Sequence, residues 1–305
     1  MDKLVYILIL NYASPDDTIE CVDSVLKSTY SNYKIVIVDN ASPDNSRNII
    51  ISYLKIKITE GNLDNLYFCN SHDFELEKFS GKYCFIQSNI NGGFAYGNNL
   101  FLKHMVEIDA LIWLLNPDII VSRSLLQSLV MNAAKNPETT AISNTIRSYK
   151  NNKLLHYGCN KINFWTGTIN EIRKVTQIKF ADYLYGGSII THLSNFKRYG
   201  LLPEKYFLYW EETDWCYAAK KKGLKFEICV DDYCLDKIGG SVGRGYLSEY
   251  YYSLNGLRFI KKFDKYKLGF VLWFYLFRIF KRLCMKDLSR ASAIKNAIIF
   301  FIFKK

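Results

Sequence analysis

Two continuous runs of apolar, β-prone residues near the start of the chain constrain its fold more than any other feature. Residues 4–10 are LVYILIL and residues 34–38 are KIVIV, and apolar residues recur at helical spacing across 16–28. Strands that are apolar at every position are buried on both faces, as in parallel sheets covered by helices. The order strand, helix, strand therefore predicts a βαβ unit and an α/β fold.

The alternation of strand and helix patterns continues along the first half of the chain. It predicts strands at 83–87 and 110–115 and helices at about 95–106 and 122–134. The second half is less regular, with strands predicted at 187–191 and 225–230, a short helix at 193–199 and a helix that starts near 211. We predict a mostly parallel, Rossmann-like central sheet flanked by helices in one domain at 1–245, followed by a helical C-terminal extension at 246–305.

The net charge of +11 is confined to the end of the chain. Residues 258–305 contain thirteen Lys or Arg and two acids, whereas residues 1–257 contain 27 of each sign. A neutral body argues against nucleic acid as a partner, and a basic, aromatic-rich tail favours an anionic surface such as bilayer headgroups. The apolar run at 268–280 is shorter than the roughly 20 residues of a membrane span, so it indicates an interfacial or a core helix. A helical hairpin that packs its apolar face on the domain and leaves its lysines in water is the alternative.

The eight cysteines are scattered along the chain and include no C-x-x-C pair. No segment with a basic start and an apolar core precedes Leu4. This usage predicts a reducing, cytoplasmic location without a structural zinc site.

Polar residues follow the first two predicted strands. Asn11 and Tyr12 end the first, and Asp39 and Asn40 end the second. Ligands of open α/β sheets bind beyond the carboxyl ends of the strands, where a carboxylate can accept hydrogen bonds from a base or a ribose. The same residues are also common in turns and as helix caps, so both interpretations stay open.

A glycine- and amide-rich segment lies at 91–99, just before a predicted helix. Its candidate ligand-binding residues are Asn91, Gly93, Phe94, Gly97 and Asn98. Glycines allow close approach of the backbone, and a helix N-terminus attracts phosphate, so a nucleotide diphosphate fits here. The alternative is a glycine-rich turn without a ligand.

Asn116 and Asp118 flank Pro117 at the end of the strand predicted at 110–115. Residues two apart on an extended segment point to one side, so both can offer an oxygen to a hard cation such as Mg²⁺ or Mn²⁺. A turn that leads into the next helix explains the same residues without a metal.

Three carboxylates, Glu211, Glu212 and Asp214, lie between Trp210 and Trp215. Acids at a helix N-terminus are favoured by the helix dipole, which is the structural explanation. Three like charges within four residues also raise at least one pKa toward the range of a general base, and we favour this functional explanation.

These clusters occur together and in an order that resembles the inverting family 2 glycosyltransferases of the GT-A fold, especially bacterial rhamnosyltransferase-like enzymes of surface polysaccharide synthesis. Further landmarks that resemble the family are Gly186-Gly187-Ser188, the segment at 207–214 and Lys237-Ile238-Gly239-Gly240-Ser241. The resemblance covers about residues 4–245 and rests on the combination, since no single landmark is specific.

The resemblance implies a hexosyl- or deoxyhexosyltransferase that uses a nucleotide-sugar donor, UDP- or dTDP-linked, and a divalent metal. Asp39 would bind the nucleoside, Asn116 and Asp118 the diphosphate and its metal, and Gly187 would join the nucleotide-sugar site. Glu212 would be the base, with Glu211 and Asp214 as positioning residues. The acceptor would be a glycan, lipid-linked at the inner face of the cell membrane.

The chain departs from the family pattern at three positions. Asn116 replaces the first Asp of the DXD motif, Asp236 stands where relatives have a metal-binding His, and Leu254 stands where they often have Arg. Asp236 is a hard oxygen ligand for the same cation, or the ligand is lost.

Two other functions compete with this one. A sugar nucleotidyltransferase would need Gly and a basic residue directly after the first strand, and residues 11–17 contain neither. A catalytically silent GT-A-like subunit, which binds a partner or a lipid, is compatible with Asn116 and Asp236, whereas the intact acidic cluster argues against it.

Overall fold

The computed structural model describes residues 3–61, 66–105, 107–237 and 245–303. The strands are β1 (Val5–Asn11), β2 (Tyr33–Asp39), β3 (Tyr67–Asn70), β4 (Tyr83–Gln87), β5 (Leu111–Leu115), β6 (Ile119–Val121), β7 (Thr140–Ser148), β8 (Leu154–His156), β9 (Cys159–Asn163), β10 (Thr168–Glu171), β11 (Tyr183–Leu184), β12 (Ser188–His192) and β13 (Lys225–Asp236). The helices are α1 (Pro15–Leu26), α2 (Ser46–Glu60), α3 (Gly93–Met105), α4 (Leu125–Lys135), α5 (Ser194–Tyr199), α6 (Glu211–Lys221), α7 (Tyr246–Phe263), α8 (Leu268–Cys284) and α9 (Leu288–Phe303). The 238–241 part of the predicted Lys237–Ser241 landmark lies outside the described residues.

The central sheet is mixed, and the strands from the first part of the chain form a parallel half, as the sequence predicts. Its order is β3-β4-β2-β1-β5-β12-β7-β13-β6, with β8 paired to β7. Strands β3, β4, β2, β1 and β5 are parallel to one another, and β12 runs antiparallel between β5 and β7.

The apolar runs of the sequence are explained by a core on each side of this sheet. In β1, Val5, Ile7 and Ile9 pack into one hydrophobic cluster, while Tyr6 and Leu8 pack into the other. Successive side chains of a strand point to opposite faces, so a strand covered by helices on both faces must be apolar throughout.

A smaller antiparallel sheet, in the order β10-β9-β11, lies beyond the central sheet in the second half of the chain. Neither this sheet nor strand β7 was predicted from the sequence. Strand β7 escaped prediction because it carries buried polar residues. Ser143 donates a hydrogen bond to the carbonyl oxygen of Ser188, and Asn144 accepts one from the Ser188 hydroxyl. Polar residues that are satisfied inside the core interrupt the apolar pattern on which strand prediction depends.

The three C-terminal helices pack on the domain, and α7 contributes to its core. Asn255 on α7 donates hydrogen bonds to the carbonyl oxygens of Leu208 and Tyr209, and the Trp210 indole N–H donates to the carbonyl oxygen of Tyr252. In the described part of the chain, no helix is long and apolar enough to span a bilayer. The boundary between a domain at 1–245 and an extension at 246–305 stays a prediction.

Gly93, at the start of α3, is held against the segment that precedes α6. Its φ is +88°, and a Cβ at this position would overlap the carbonyl oxygen of Phe207. Gly200 has a similar φ of +93°, but a Cβ added there would meet no atom within 4 Å. A substitution by alanine would therefore carry the cost of positive φ at both glycines, whereas only the substitution at Gly93 would also cause a steric overlap.

We expect Gly93→Ala to lower the free energy of unfolding by roughly 1–3 kcal/mol more than Gly200→Ala does, since both pay for positive φ and Gly93→Ala alone forces a steric overlap. Urea denaturation of both variants measures the difference. Equal losses would show that the contact between Gly93 and Phe207 is not tight in solution.

Candidate active site

The carboxyl ends of the parallel strands bring the first predicted site residues together. Asn11 is in register with Asp39, and Asp39 is in register with Gln87. The Asp39 carboxylate accepts hydrogen bonds from the Asn11 amide at 2.7 Å, the Gln87 amide at 2.8 Å, and the Ser42 hydroxyl and backbone N–H at 2.6 and 3.0 Å. These four bonds fill the usual capacity of a carboxylate. Asp39 thus ties three strand ends together, and binding a nucleoside there would require one of these donors to be displaced.

Asn40 connects the same strand ends to the loop before α3. Its amide donates to the Asn91 side-chain oxygen at 2.9 Å and to the carbonyl oxygen of Gly93 at 3.2 Å. The Asn91 oxygen also accepts from the Gly93 N–H at 3.1 Å. The side-chain oxygen of Asn40 is buried without a hydrogen-bond partner, so this predicted ligand-binding residue retains an acceptor that a ligand could use.

The rest of the glycine- and amide-rich segment is largely occupied in packing. Gly97 lies against Leu10 of β1, and Asn98 donates to the carbonyl oxygen of Phe94 at 2.9 Å. The Phe94 N–H donates to the carbonyl oxygen of Phe207 at 3.2 Å. This segment therefore joins the strand ends to the second half of the chain. Tyr12, the predicted ligand-binding residue that follows β1, is 39% exposed.

Asp118 and Asp236 form a pair of carboxylates although they are far apart in the sequence. Strand β13 pairs with β6 so that Asp236 lies opposite Ile119, and the Lys237 N–H donates to the carbonyl oxygen of Asp118 at 3.1 Å. One carboxylate oxygen of Asp118 is buried without a hydrogen-bond partner. Burial, and then the charge of Asp236, raise the pKa of Asp118 to about 6. A buried, unpartnered oxygen beside a second carboxylate fits a hard divalent cation.

The positive charge of Lys237 acts only weakly on the pKa of Asp118, as the smallest of the influences on it, because this side chain is engaged by two other acids. Lys237 forms ion pairs with Asp17 at 2.6 Å and with Glu20 at 2.5 Å. Asn116 is fixed by its backbone N–H, which donates to the carbonyl oxygen of Gly187 at 3.0 Å. The predicted residues Asn116, Asp118 and Asp236 thus lie in one region, and Gly187 borders it.

Another acidic group lies at the opposite end of β5. Asp109, Glu138 and His192 have potential metal-binding atoms within 4.8 Å of one another, and they are the one such group of three among the described residues. Asp109 and Glu138 are exposed, and Asp109 is paired with Lys3. We assign no role to this group because exposed acids commonly cluster without a metal.

Glu212 lies at the start of α6, after two residues in the left-handed region. Tyr209 and Trp210 have φ values of +63° and +77°, which are costly for residues with large side chains. The side chain of Glu212 packs beside Gly186, where a Cβ would come within 2.8 Å of its Cγ. Although Glu212 is partly open to solvent, burial around its carboxyl raises its pKa to about 7.

The other two acids of this cluster face away from solvent. Glu211 is 4% exposed, and burial together with the charge of Glu212 raises its pKa well above the usual range. Asp214 accepts hydrogen bonds from the Tyr206 hydroxyl at 2.7 Å and from Lys262 at 2.5 Å. Asp214 therefore joins α6 to α7, and its contacts give no support to the predicted role in positioning an acceptor.

Glu212 opens into a cleft of about 580 Å³. Five aromatic residues contribute to its walls, namely Tyr183, Tyr185, Tyr209, Trp210 and Tyr252. The Tyr185 hydroxyl donates to Asp236 at 2.7 Å, so the cleft adjoins the carboxylate pair. This arrangement places a carboxylate with a raised pKa and a candidate cation site around one cavity.

Sequence analysis missed the polar wall of the cleft. His156 and Asn160 lie on β8 and β9, and Asn170, Glu171 and Arg173 lie on or after β10. Their strands are three to five residues long and pair with segments distant in the sequence. Strands so short carry little periodic signal, so the sequence offers no spacing that would have marked these residues.

The fold is of the GT-A type, and comparison with known sequences gives the family. The model of glycosyl transferase family 2 matches residues 6–192, and the chain belongs to this family. A low-salt glycan biosynthesis hexosyltransferase, Agl10 of Haloferax volcanii, is 23% identical over 242 residues, which cover 73% of this chain and 64% of that protein. Glycosyltransferase GlyG of Streptococcus pneumoniae is 35% identical over 54 residues, 18% of each chain. The match spans less than two thirds of the length of these curated relatives.

Solved structures of glycosyltransferases share the fold at low sequence identity. The mannosyltransferase PcManGT of Pyrobaculum calidifontis, solved with GDP-Man and Mn²⁺, has a TM-score of 0.58 at 11% identity over all of this chain and 88% of that chain. GalNAc-T7, solved with UDP, GalNAc and Mn²⁺, has a TM-score of 0.59 at 14% identity over 89% of this chain and 56% of that chain. The S. aureus TarS fragment solved with UDP-GlcNAc has a TM-score of 0.54 at 15% identity, with coverage of 98% and 80%. The predicted GT-A fold is confirmed.

We expect Asp118→Asn to stabilise the metal-free protein on the order of 2 kcal/mol at pH 7.5, because a carboxyl with its folded-state pKa raised from 3.8 to about 6 opposes folding once it is charged. The opposition is absent below about pH 4, grows between about pH 4 and 6 as only the unfolded state loses its proton, and levels off above pH 6, so the gain should be smaller at pH 5 than at pH 7.5. Urea denaturation in a chelator measures it. Asp231→Asn, at an exposed position on β13, is the control and should change stability by less than about 0.5 kcal/mol.

Proposed function

We propose that this chain is an inverting glycosyltransferase that moves a sugar from a nucleotide-diphosphate sugar to a hydroxyl group of an acceptor. The observation that carries the proposal is the cleft that holds Glu212 and adjoins Asp118 and Asp236 through Tyr185. One end of this cavity suits a hydroxyl that must lose a proton, and the other suits a diphosphate that must be neutralised.

Glu212 would act as the general base. It takes the proton of the acceptor hydroxyl, the oxygen forms a bond to the anomeric carbon, and the bond from that carbon to the donor phosphate breaks. A pKa of about 7 matches this role, since a base is most effective when its pKa lies near the working pH. Attack from the face opposite the leaving group inverts the anomeric centre.

Asp118 and Asp236 would hold a divalent cation, Mg²⁺ or Mn²⁺, with Asn116 beside them. When bound, the cation neutralises charge on the leaving diphosphate. Mn²⁺ is named with two of the similar structures, together with GDP-Man in one and with UDP and GalNAc in the other, which supports this class of ligand for the proposal. We propose a UDP- or dTDP-sugar as the donor, with Asn11, Tyr12, Asp39, Asn40 and the loop at 91–99 around the nucleotide.

We further propose that the acceptor is a glycan, lipid-linked at the inner face of the cell membrane. The aromatic walls of the cleft suit the flat, partly apolar faces of sugar rings, and its amides suit their hydroxyls. Agl10, the longer of the two sequence matches, is described as a hexosyltransferase of glycan biosynthesis. The tail at 258–305, with its thirteen basic residues, would be attracted to anionic lipid.

Replacing Glu212 by Gln keeps the shape of the side chain and removes the base, so turnover should fall roughly 10²-fold or more while donor binding changes little. In the unchanged protein, kcat/KM should rise with pH up to about 7, where Glu212 loses its proton, and then level off. Steady-state kinetics across pH 5.5–8.5 measures both, with exposed Glu227→Gln as the control. Near-normal turnover of Glu212→Gln with saturating acceptor would reject the assignment.

The metal site is tested by thermal shift with a panel of nucleotide sugars, with and without Mn²⁺. Asp118→Ala should abolish metal-dependent donor binding, and Asp236→His, which restores the residue of relatives, should retain it. Asp109→Ala, in the acidic group at the other end of β5, is the control and should leave the shift unchanged. A donor complex in which Asp236 lies far from Mn²⁺ would contradict its role, and donor binding without turnover of any acceptor would favour the silent-subunit alternative.

A further inference from the structure

One face of α8 exposes large apolar side chains to solvent. We call it the outer face of α8, and it consists of Phe270, Trp273, Leu276, Phe277, Phe280 and Leu283, each 48% to 70% exposed. Their spacing of three and four residues places them on one side of the helix. A contiguous patch of this kind on a protein surface usually marks a site of interaction.

The packing of α8 does not require this face, because the helix is already held by its other side. Val271 and Tyr275 are fully buried, and the Tyr275 hydroxyl donates to the carbonyl oxygen of Gly167 at 2.9 Å. Arg278 and Arg282 both form ion pairs with Glu249 on α7. The outer face is thus fixed in its outward orientation.

The turn between β9 and β10 extends this face beyond the tail. The ring of Trp165, which is 55% exposed, lies edge-on to Phe270 at 4.9 Å between centroids. The Lys267 ammonium lies 5.0 Å from the centroid of Trp165. Of the five tryptophans, Trp113, Trp210 and Trp215 are buried, so the two exposed ones, Trp165 and Trp273, are both at this surface.

The same turn leads directly into the wall of the candidate active site. Gly167 lies against Val271 of α8, and the next strand, β10, supplies Ile169, Asn170 and Glu171 to the cleft. From Thr168 to Glu171 an extended strand covers only about 10 Å. Whatever covers the outer face of α8 therefore lies close to the acceptor end of the cleft.

We infer that the outer face of α8 together with Trp165 inserts into the headgroup boundary of an anionic bilayer and presents the cleft to acceptors carried in that bilayer. Helix α8 contains no acidic residue, and Lys267 and Lys281 lie at its two ends. Two copies of the chain docked through this face would bring together two tails that each carry +11, which disfavours a dimer. Aromatic side chains beside basic ones suit the boundary between headgroups and acyl chains. The link to the acceptor rests on the proposed function, whereas docking itself does not.

The position of the two exposed tryptophans supplies a direct assay with the full chain. Vesicles of phosphatidylglycerol and phosphatidylcholine should shift tryptophan emission to the blue, and brominated lipid should quench it, because Trp165 and Trp273 leave water. Vesicles of phosphatidylcholine alone should give a weaker response, and added salt should weaken binding to the mixed vesicles. The double variant Trp165→Phe and Trp273→Phe should still bind vesicles but should lose the quenchable emission.

Matched substitutions distinguish binding through this surface from nonspecific hydrophobic adsorption to vesicles. Leu276→Ala and Trp273→Ala should each weaken vesicle binding roughly tenfold or more, measured by co-sedimentation. Ile56→Ala is the control, since Ile56 on α2 is 56% exposed and Leu276 is 58% exposed. Circular dichroism of each variant checks that it is folded.

Three outcomes would overturn the inference. They are no vesicle binding by the folded full chain, equal weakening by Ile56→Ala and Leu276→Ala, and a lipid-free dimer that Trp273→Ala dissociates in sedimentation velocity. Failure of sugar transfer is a separate result, because vesicle binding is measured without donor or acceptor. A chain that binds vesicles as described but transfers no sugar would leave the docking surface standing and reject the proposed function.

Discussion

The parallel register of β1, β2 and β5 is the constraint on which the rest of the site depends. It brings Asn11 beside Asp39 and sets the segment at 116–118 at the same edge of the sheet. The Asp39 carboxylate then secures that edge with four hydrogen bonds from three different segments. A carboxylate buried in this way is stable only while its donors remain, so Asp39, which the sequence predicts to bind a ligand, has a structural role in this edge of the sheet.

The chemistry of the site is obtained at a cost in stability. Asp118, Glu211 and Glu212 all have raised pKa values, chiefly because they are buried, and each therefore opposes folding at neutral pH. Tyr209 and Trp210 add the strain of positive φ directly before Glu211 and Glu212. The two large hydrophobic clusters on either side of the sheet offset these costs. Strain and like charge are thus concentrated where the proposed reaction would use them.

The sequence predicted the parts of the fold whose signal is local. Strands β1 and β2 and the acidic start of α6 follow from apolar runs and from charge, and the structure has each of them close to the expected position. The pairing of β13 with β6 and β7, which brings Asp236 to Asp118, depends on contacts across about a hundred residues and on a bulge between Cys229 and Tyr233. The polar wall of the cleft depends on a second sheet of short strands. Neither kind of contact leaves a periodic pattern in one sequence.

The C-terminal helices share a core with the rest of the chain. Phe259 and Ile260 are fully buried, and Asn255 holds the carbonyl groups of Leu208 and Tyr209 just before the strained entry to Glu212. Truncation after about residue 257 would remove Phe259 and Ile260 from the core, at a cost of several kcal/mol for each large buried side chain. Loss of membrane binding in such a truncated chain would therefore not separate docking from unfolding. Only substitutions on the outer face of α8, which leave the buried side of the helix intact, can make that distinction.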